Sequence, residues 1–268
     1  MPDRPVISVI VPVKNREALI GRALRSALNQ RGFAPGELEI IVVDDGSSDT
    51  TRDVVESVAR TASHPVRLLQ NNRKPGANGG RNTGILASRG TWIAPLDSDD
   101  AFAPDKLHLQ LAALARTHCR TATCSWATVR TNGRISRHIY RHDMLLTGWK
   151  LSSQLAWDTG FSTQTFLVHR SVVDAAGLFD ETLRRRQDYE WSIRLSRQGP
   201  ILAVARALVM VWQQRVSITA DPSLIIPSTR SILAKHRWLY ARHPGSLLAQ
   251  AVKVGLQIRR ARRMAAQA

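Results

Sequence analysis

Four short apolar runs, separated by helix-forming segments and each ending in a polar cluster, set the frame for the first hundred residues. Val6 to Val13 is rich in Val and Ile, the composition of a strand buried on both faces of a parallel sheet. Ala18, Leu19, Ala23, Ala27 and Leu28 then recur at helical spacing until Gly32 and Pro35 break the pattern. Leu38 to Val43 predicts a second strand, followed by Ser47, Ser48 and Asp49 as caps for a helix through Val54, Val55 and Val58. Val66 to Leu69 and Trp92 to Leu96 predict two more strands, with a helix over Asn82 to Ser88 between them. Such alternation predicts an α/β fold: an open sheet with helices on both faces.

In sheets of this kind ligands bind beyond the carboxyl ends of the strands. Lys14-Asn15-Arg16, Asp44-Asp45, Asn71-Asn72-Arg73 and Asp97-Ser98-Asp99 all fall there, so one crevice is predicted to collect them. The last cluster has three carboxylates in the four positions 97 to 100, in a chain with 38 Lys and Arg against 21 Asp and Glu. Hard carboxylate oxygens of this kind suit Mg or Mn, and a solvated turn or helix cap before Pro104 is the other reading. Asp44 and Asp45 are placed to accept hydrogen bonds from a base or ribose, or to cap the next helix. Gly76 to Gly84 reads as a Gly-rich loop opening a helix, suited to a phosphate or simply flexible, and it lacks the Gly-Lys-Ser/Thr ending of a Walker loop.

Beyond Pro104 the alternation lapses. Leu107, Leu111 and Leu114 predict a helix; Ala122 to Val129 and Ile135 to Tyr140 flank Asn132-Gly133 as a hairpin. Phe166 to Val168 and Ile201 to Val211 predict strands around a helix over Tyr189 to Leu195. Trp126, Trp149, Trp157 and Trp191 read as core or as a floor for a sugar ring, and His169 as a core histidine. With 268 residues, 43% of them hydrophobic, the chain can bury a full core. No segment approaches the ~20 apolar residues that cross a bilayer, and the N-terminus does not resemble a signal peptide. Cys119 and Cys124 are too few for a disulfide scaffold and read as reduced core residues. The expected location is therefore cytoplasmic.

The net charge of +17 calls for an anionic partner, and much of it belongs to the tail. No acidic residue follows Asp221, whereas Arg230, Lys235, Arg237, Arg242, Lys253, Arg259, Arg260, Arg262 and Arg263 do. Leu248, Ala251, Val252, Gly255, Leu256 and Ile258 form an apolar helical stripe beside these charges. Residues 247–263 are thus a candidate surface for an anionic membrane, peripheral on its inner face, or a charged helix packed on the core.

Taken in order, Ser8 to Arg16, Ile41 to Asp49, Gly80-Arg81-Asn82-Thr83-Gly84 and Leu96 to Asp100 resemble glycosyltransferase family 2, inverting enzymes of the GT-A fold, over roughly residues 5 to 215. The resemblance implies a Rossmann-like nucleotide-sugar half (about 1–105), an acceptor and base half (about 106–215) and a helical basic extension (216–268). It implies a nucleotide pocket lined by Pro12 and the positions after it, including Asn15. Asp44 would face the base with Asp45 close by, and Arg81 would reach the nucleotide or diphosphate. Asp97-Ser98-Asp99 matches the family's DxD motif, with Asp97 toward ribose and metal and Asp99 on a divalent cation, Mn or Mg. Asp188 falls on the catalytic-base position, Gln187 departs from the Glu that many members carry there, and Glu190 is the rival base. Gln213 to Ser217 resembles the QxxRW of processive synthases only superficially, because Val216 replaces the Trp. The implied partners are a nucleotide-sugar donor, UDP-linked by preference, and a glycan or lipid-linked acceptor for cell-envelope polysaccharide, with no nucleic acid. A nucleotidyltransferase of related fold lacks its Gly-rich signature near the first strand, and a basic nucleic-acid-binding module would rest on charge alone.

Overall fold

The computed structural model describes residues 6–157, 161–213, 224–243 and 245–265. Its first half follows the predicted alternation: β1 (Ile7–Val13), α1 (Glu17–Leu28), β2 (Leu38–Asp44), α2 (Thr51–Arg60), β3 (Val66–Gln70), α3 (Ala77–Ala87) and β4 (Trp92–Pro95). A short β5 (Ala101–Phe102) and α4 (Lys106–Leu114) lead to the hairpin of β6 (Thr121–Val129) and β7 (Ile135–His138). There follow β8 (Met144–Leu146), α5 (Gly148–Ala156), a 3-10 turn (Thr163–Thr165), β9 (Leu167–His169), α6 (Arg170–Ala176), α7 (Gln187–Ser196) and β10 (Ile201–Trp212). Three helices close the described chain: α8 (Ile225–Lys235), α9 (Arg237–Arg242) and α10 (Gly245–Ala265).

One sheet runs in the order β3-β2-β1-β4-β9-β6-β10-β5, with β7 beside β6 and β8 beside β10. The strands β3, β2, β1 and β4 are parallel. Between them and the parallel pair β6 and β10, β9 is antiparallel to both neighbours. Every residue of β1 and β2 is buried, because helices cover both faces. Ile7, Val9, Val11 and Val13 pack with Ile20, Leu24 and Val55 of α1 and α2. Ile10, Ile41 and Val43 enter a second core with Ile85 of α3, Trp191 and Ile193 of α7, Ile232 of α8 and Leu239 and Tyr240 of α9. The two-residue period of the strands divides each run between two cores, so the sequence shows an unbroken apolar stretch rather than alternation.

The Gly-rich segment differs from its predicted form. Helix α3 begins at Ala77, five residues before the predicted Asn82, and Gly79, Gly80 and Gly84 lie inside it. Glycine in a helix interior costs about 1 kcal/mol relative to Ala, and close packing offsets that here. A Cβ at position 84 would lie 2.5 Å from Ile10 Cγ2, and one at 79 would lie 1.9 Å from the Lys74 carbonyl oxygen. Gly80 and Gly84 bring the helix flush against Pro12 and Ile10 of β1, and Gly79 lets the Lys74 carbonyl close against it. Gly84→Ala is expected to lower unfolding free energy by about 1–3 kcal/mol through overpacking against a strand that cannot retreat, measurable by urea denaturation.

Candidate active site

Polar contacts stitch the strand ends together. Asn15 adopts a left-handed conformation (φ 49°), one of the few side chains that does so readily. Its Oδ1 accepts the Ser48 N–H at 2.8 Å, and its own N–H donates to Ser47 Oγ at 3.0 Å. Asp44 is buried and accepts from the Ser47 N–H at 3.1 Å and the Ser47 hydroxyl at 2.5 Å. Asp45 takes Asn71 Nδ2 at 2.5 Å on one oxygen and the Gly76 N–H at 2.9 Å on the other. It thereby fixes the start of α3 to the end of β2.

From α3 three side chains reach outward. Arg81, almost fully buried, directs Nη2 to Asp97 Oδ1 at 2.6 Å and Nη1 to Asn78 Oδ1 at 3.2 Å, and its guanidinium carbon lies 5.3 Å from the Phe179 ring centroid. Asn78 Nδ2 donates to the carbonyls of Asp180 and Leu183 at 2.8 and 2.9 Å. Asn82 pairs with the Phe179 backbone in both directions, at 2.9 and 2.8 Å. The helix thus holds the segment leading into α7 directly over the strand ends. Arg73 also binds Glu181.

The acidic turn after β4 divides its carboxylates by burial. Asp97 is 30% exposed and opens onto the cleft. Asp99 is half-buried, and burial followed by repulsion from Asp97 raises its carboxyl above the usual range. Asp100 is buried and accepts from Gln164 Nε2 at 2.5 Å and from the Trp212 N–H at 3.0 Å. Burial, then the charges of Asp97 and Asp99, pushes its carboxyl well above the carboxylate range. Asp100 therefore does more than begin a turn: it ties the cluster to the end of β10 and to the wall at Thr163–Thr165. That wall is braced from behind by Gln110 Nε2 on the Thr165 carbonyl (2.9 Å) and by the fully buried Lys106, whose Nζ donates to the Phe166 carbonyl (3.2 Å). Burial brings the Lys106 ammonium down to about 8.

Among the described residues no group of three or more His, Cys, Asp and Glu side chains gathers as a metal cage. Asp97 and Asp99 carry hard carboxylate oxygens and repel each other, so the pair would suit Mg or Mn, whose charge would relieve that repulsion.

A cleft of about 610 Å³ joins these parts. Asp45, the first turn of α3, Arg81, Asp97, Ser162 to Gln164, and Arg184 to Asp188 line it. Four predicted residues, Asp45, Arg81, Asp97 and Asp188, share this cavity, whereas Pro12, Asn15, Asp44 and Asp99 lie outside its lining. Pro12 is buried beneath Gly80, where a Cβ would approach it to 3.0 Å. The four tryptophans considered as a sugar floor also lie outside it; Trp191 is fully buried. His169 accepts the Ser171 N–H on Nδ1 at 3.2 Å and caps α6. Of Gln213 to Ser217 only Gln213 is among the described residues. Sequence reasoning missed Ser162 to Gln164 and Arg184 to Arg186. For the arginines the signal was present, three consecutive cations ending two residues before the candidate base.

Asp188 and Glu190 occupy the first turn of α7 but have separate surroundings. Asp188 lines the cleft. Glu190 is buried behind it, paired with Arg194 Nη2 at 2.8 Å and with His236 Nε2 at 3.1 Å.

Residues 8–177 match the family described as Glycosyl transferase family 2. The chain belongs to glycosyltransferase family 2. It is 32% identical over 193 residues to the succinoglycan biosynthesis protein ExoO of Rhizobium meliloti (strain 1021), covering 69% of this chain and 54% of ExoO. It is 30% identical over 202 residues to the UDP-Glc:alpha-D-GlcNAc-diphosphoundecaprenol beta-1,3-glucosyltransferase WfgD of Escherichia coli, covering 75% of this chain and 74% of WfgD. The match thus spans about half the length of ExoO and about three quarters of WfgD. Residues 1–349 of S. aureus TarS, solved with UDP-GlcNAc, superpose with a TM-score of 0.71 at 23% identity, over 85% of this chain and 65% of that one. The fold is GT-A, as the resemblance implied.

Burial alone would raise the Glu190 carboxyl, but hydrogen bonds from His236 and Arg194 outweigh it and hold it below the model-compound value of 4.5. A carboxylate depressed in the folded state adds stability that is present above its unfolded value and lost as pH falls through its folded value. Glu190→Gln is therefore expected to lower stability at neutral pH by about 1–3 kcal/mol and to flatten the acid limb of the stability curve below about pH 4.5, measured by denaturant titrations across pH.

Proposed function

We propose that this family 2 protein is an inverting glycosyltransferase that moves a sugar from a nucleotide-sugar, UDP-linked by preference, to a hydroxyl of a glycan or lipid-linked acceptor in cell-envelope polysaccharide synthesis. One observation carries the reading: Asp188, on a helix fixed through α3, shares a single cleft with Arg81 and Asp97 at the strand ends. The printed names of ExoO and WfgD and the UDP-GlcNAc bound to TarS support it.

In this reading the first turn of α3, which lines the cleft, and Arg81 receive the donor diphosphate. Asp45, the loop tied by Asn15 and Asp44, and Pro12 beneath α3 would shape the nucleotide end. A bound Mg or Mn, held by Asp97 and Asp99, would neutralise charge on the leaving diphosphate. Asp188 takes the proton of the acceptor hydroxyl as its oxygen attacks the anomeric carbon from the face opposite the diphosphate. The bond from that carbon to the diphosphate oxygen breaks as the new glycosidic bond forms, inverting the configuration. Residues 1–105 would serve the donor and 106–215 the acceptor and base. The basic extension, 216–268, would hold the enzyme peripherally on the cytoplasmic side of an anionic membrane, where lipid-linked acceptors reside.

A panel of UDP-, GDP- and TDP-sugars, each with Mn or Mg, scored by donor hydrolysis, tests the donor assignment; hydrolysis of none of them would refute it. Asp188→Asn is expected to leave donor affinity within about twofold while cutting turnover by 10²-fold or more, roughly the scale of a lost general base. Asp99→Asn is expected to abolish the stimulation by divalent cation. Full turnover by the Asp188→Asn protein would remove Asp188 from the role of base.

A further inference from the structure

Helix α10 is turned inside out. Its buried side chains include Ser246 and Gln250, while Leu248, Val252 and Leu256, four residues apart along one stripe, stand 72, 55 and 61% exposed. Gln250 faces inward for a reason: its Nε2 donates to the Ala156 carbonyl at 2.9 Å and its Oε1 accepts from Arg186 Nη2 at 2.7 Å. The polar face thus seats the helix on the protein, and the apolar face is left outward. A helix stabilised by its own core would bury the opposite stripe.

A second, sequence-distant element extends the same surface. Trp149 and Trp157, at the two ends of α5, are 69 and 45% exposed, and the other five of the seven tryptophans are buried or half-buried. The Trp149 ring lies 4.1 Å from that of His243, just before α10, and the Trp157 ring comes within 3.9 Å of where a Cβ on Gly245 would stand. Leu247, in the first turn of α10, is exposed as well. Arg237, Arg242 and Arg259 are exposed on these last helices, and no acidic residue follows Asp221.

We propose that α10 and the two tryptophans of α5 form a face that docks this protein onto an anionic lipid bilayer, α10 lying flat in the headgroup layer. The inference rests on the reading that the acceptor is met at a membrane and names the surface that meets it. Three observations select a bilayer over a protein. The apolar residues form a long stripe along a helix of 21 residues rather than a closed groove, the form suited to a fluid surface. Tryptophan at the edge of such a stripe matches the chemistry of the headgroup region, apolar body and polar N–H. A second copy of this chain would bring arginine against arginine, whereas anionic headgroups complement them. Among the described residues no helix is long and apolar enough to cross a membrane. Docking through this face would also orient the cleft, because Gln250 and Thr229 both hold Arg186, two residues before Asp188.

The full 268-residue chain is to be sedimented with vesicles of phosphatidylcholine alone or mixed with phosphatidylglycerol. Binding at least about tenfold tighter to the mixed vesicles is expected, weakening with salt. Leu248→Gln, Val252→Gln and Leu256→Gln together replace only exposed side chains, so the melting temperature is expected to hold while vesicle binding falls about tenfold or more. Brominated lipid is expected to quench the wild type, and Trp149→Phe with Trp157→Phe to remove most of that quenching. No binding to the mixed vesicles, undiminished binding by the triple glutamine variant, or a dimer in sedimentation velocity that this variant dissociates would each overturn the proposal. Donor hydrolysis without vesicles separates the two readings. Vesicle binding without hydrolysis of any donor retires the donor assignment and leaves the docking face standing; hydrolysis without vesicle binding does the reverse.

Discussion

The close seating of α3 on β1 is the contact on which the site depends. With side chains in place of Gly79, Gly80 and Gly84 the helix would have to lift away from Ile10, Pro12 and the Lys74 carbonyl, and everything mounted on it would move too. Arg81 spans from that helix to Asp97 at the end of β4, and Asn78 and Asn82 hold the backbone of residues 179 to 183. Asp188 is thus positioned over the strand ends by polar contacts that lie about a hundred residues away in sequence. Displacements of an ångström in such a scaffold cost catalysts dearly, which explains why helix-weakening glycines are acceptable here.

Electrostatics sorts residues of one type into different tasks. Asp97, Asp99 and Asp100 crowd one turn, yet only Asp97 opens onto the cleft, Asp99 is half-buried with a raised carboxyl, and Asp100 is sealed between Gln164 and the Trp212 amide. The same separation recurs on α7. Two residues apart, Asp188 faces the cavity and Glu190 is locked between Arg194 and His236. Residues two apart on a helix point about 200° apart, so they cannot serve the same pocket.

The first hundred residues were legible because each strand is an apolar run long enough to stand out and each helix has its own turn signals. The later elements were less so. Strand β8 has three residues; that length carries no period, and the strand exists because its long neighbour, β10, supplies the hydrogen bonds. Helix α5 was not anticipated at all, since its tryptophans face solvent and its apolar pattern is completed by contacts with α7 and α9. Gly76 to Gly84 misled for a physical reason: glycine reads as loop in isolation, and only an apposed strand reveals it as the close face of a helix.

The sequence by itself determined the α/β alternation, the gathering of polar clusters at the carboxyl ends of the strands, the excess of positive charge toward the C-terminus and, through ordered motifs, the family. These follow from local composition and period, which act over a few residues and survive without a partner. The tertiary structure alone decided which carboxylate faces the cleft, that Ser162 to Gln164 and Arg184 to Arg186 wall it, that Glu190 is a buried ion-pair member, and that α10 turns its leucines outward. Each of these depends on which distant residue occupies the neighbouring space, and burial and charge pairing are properties of that neighbour as much as of the residue itself.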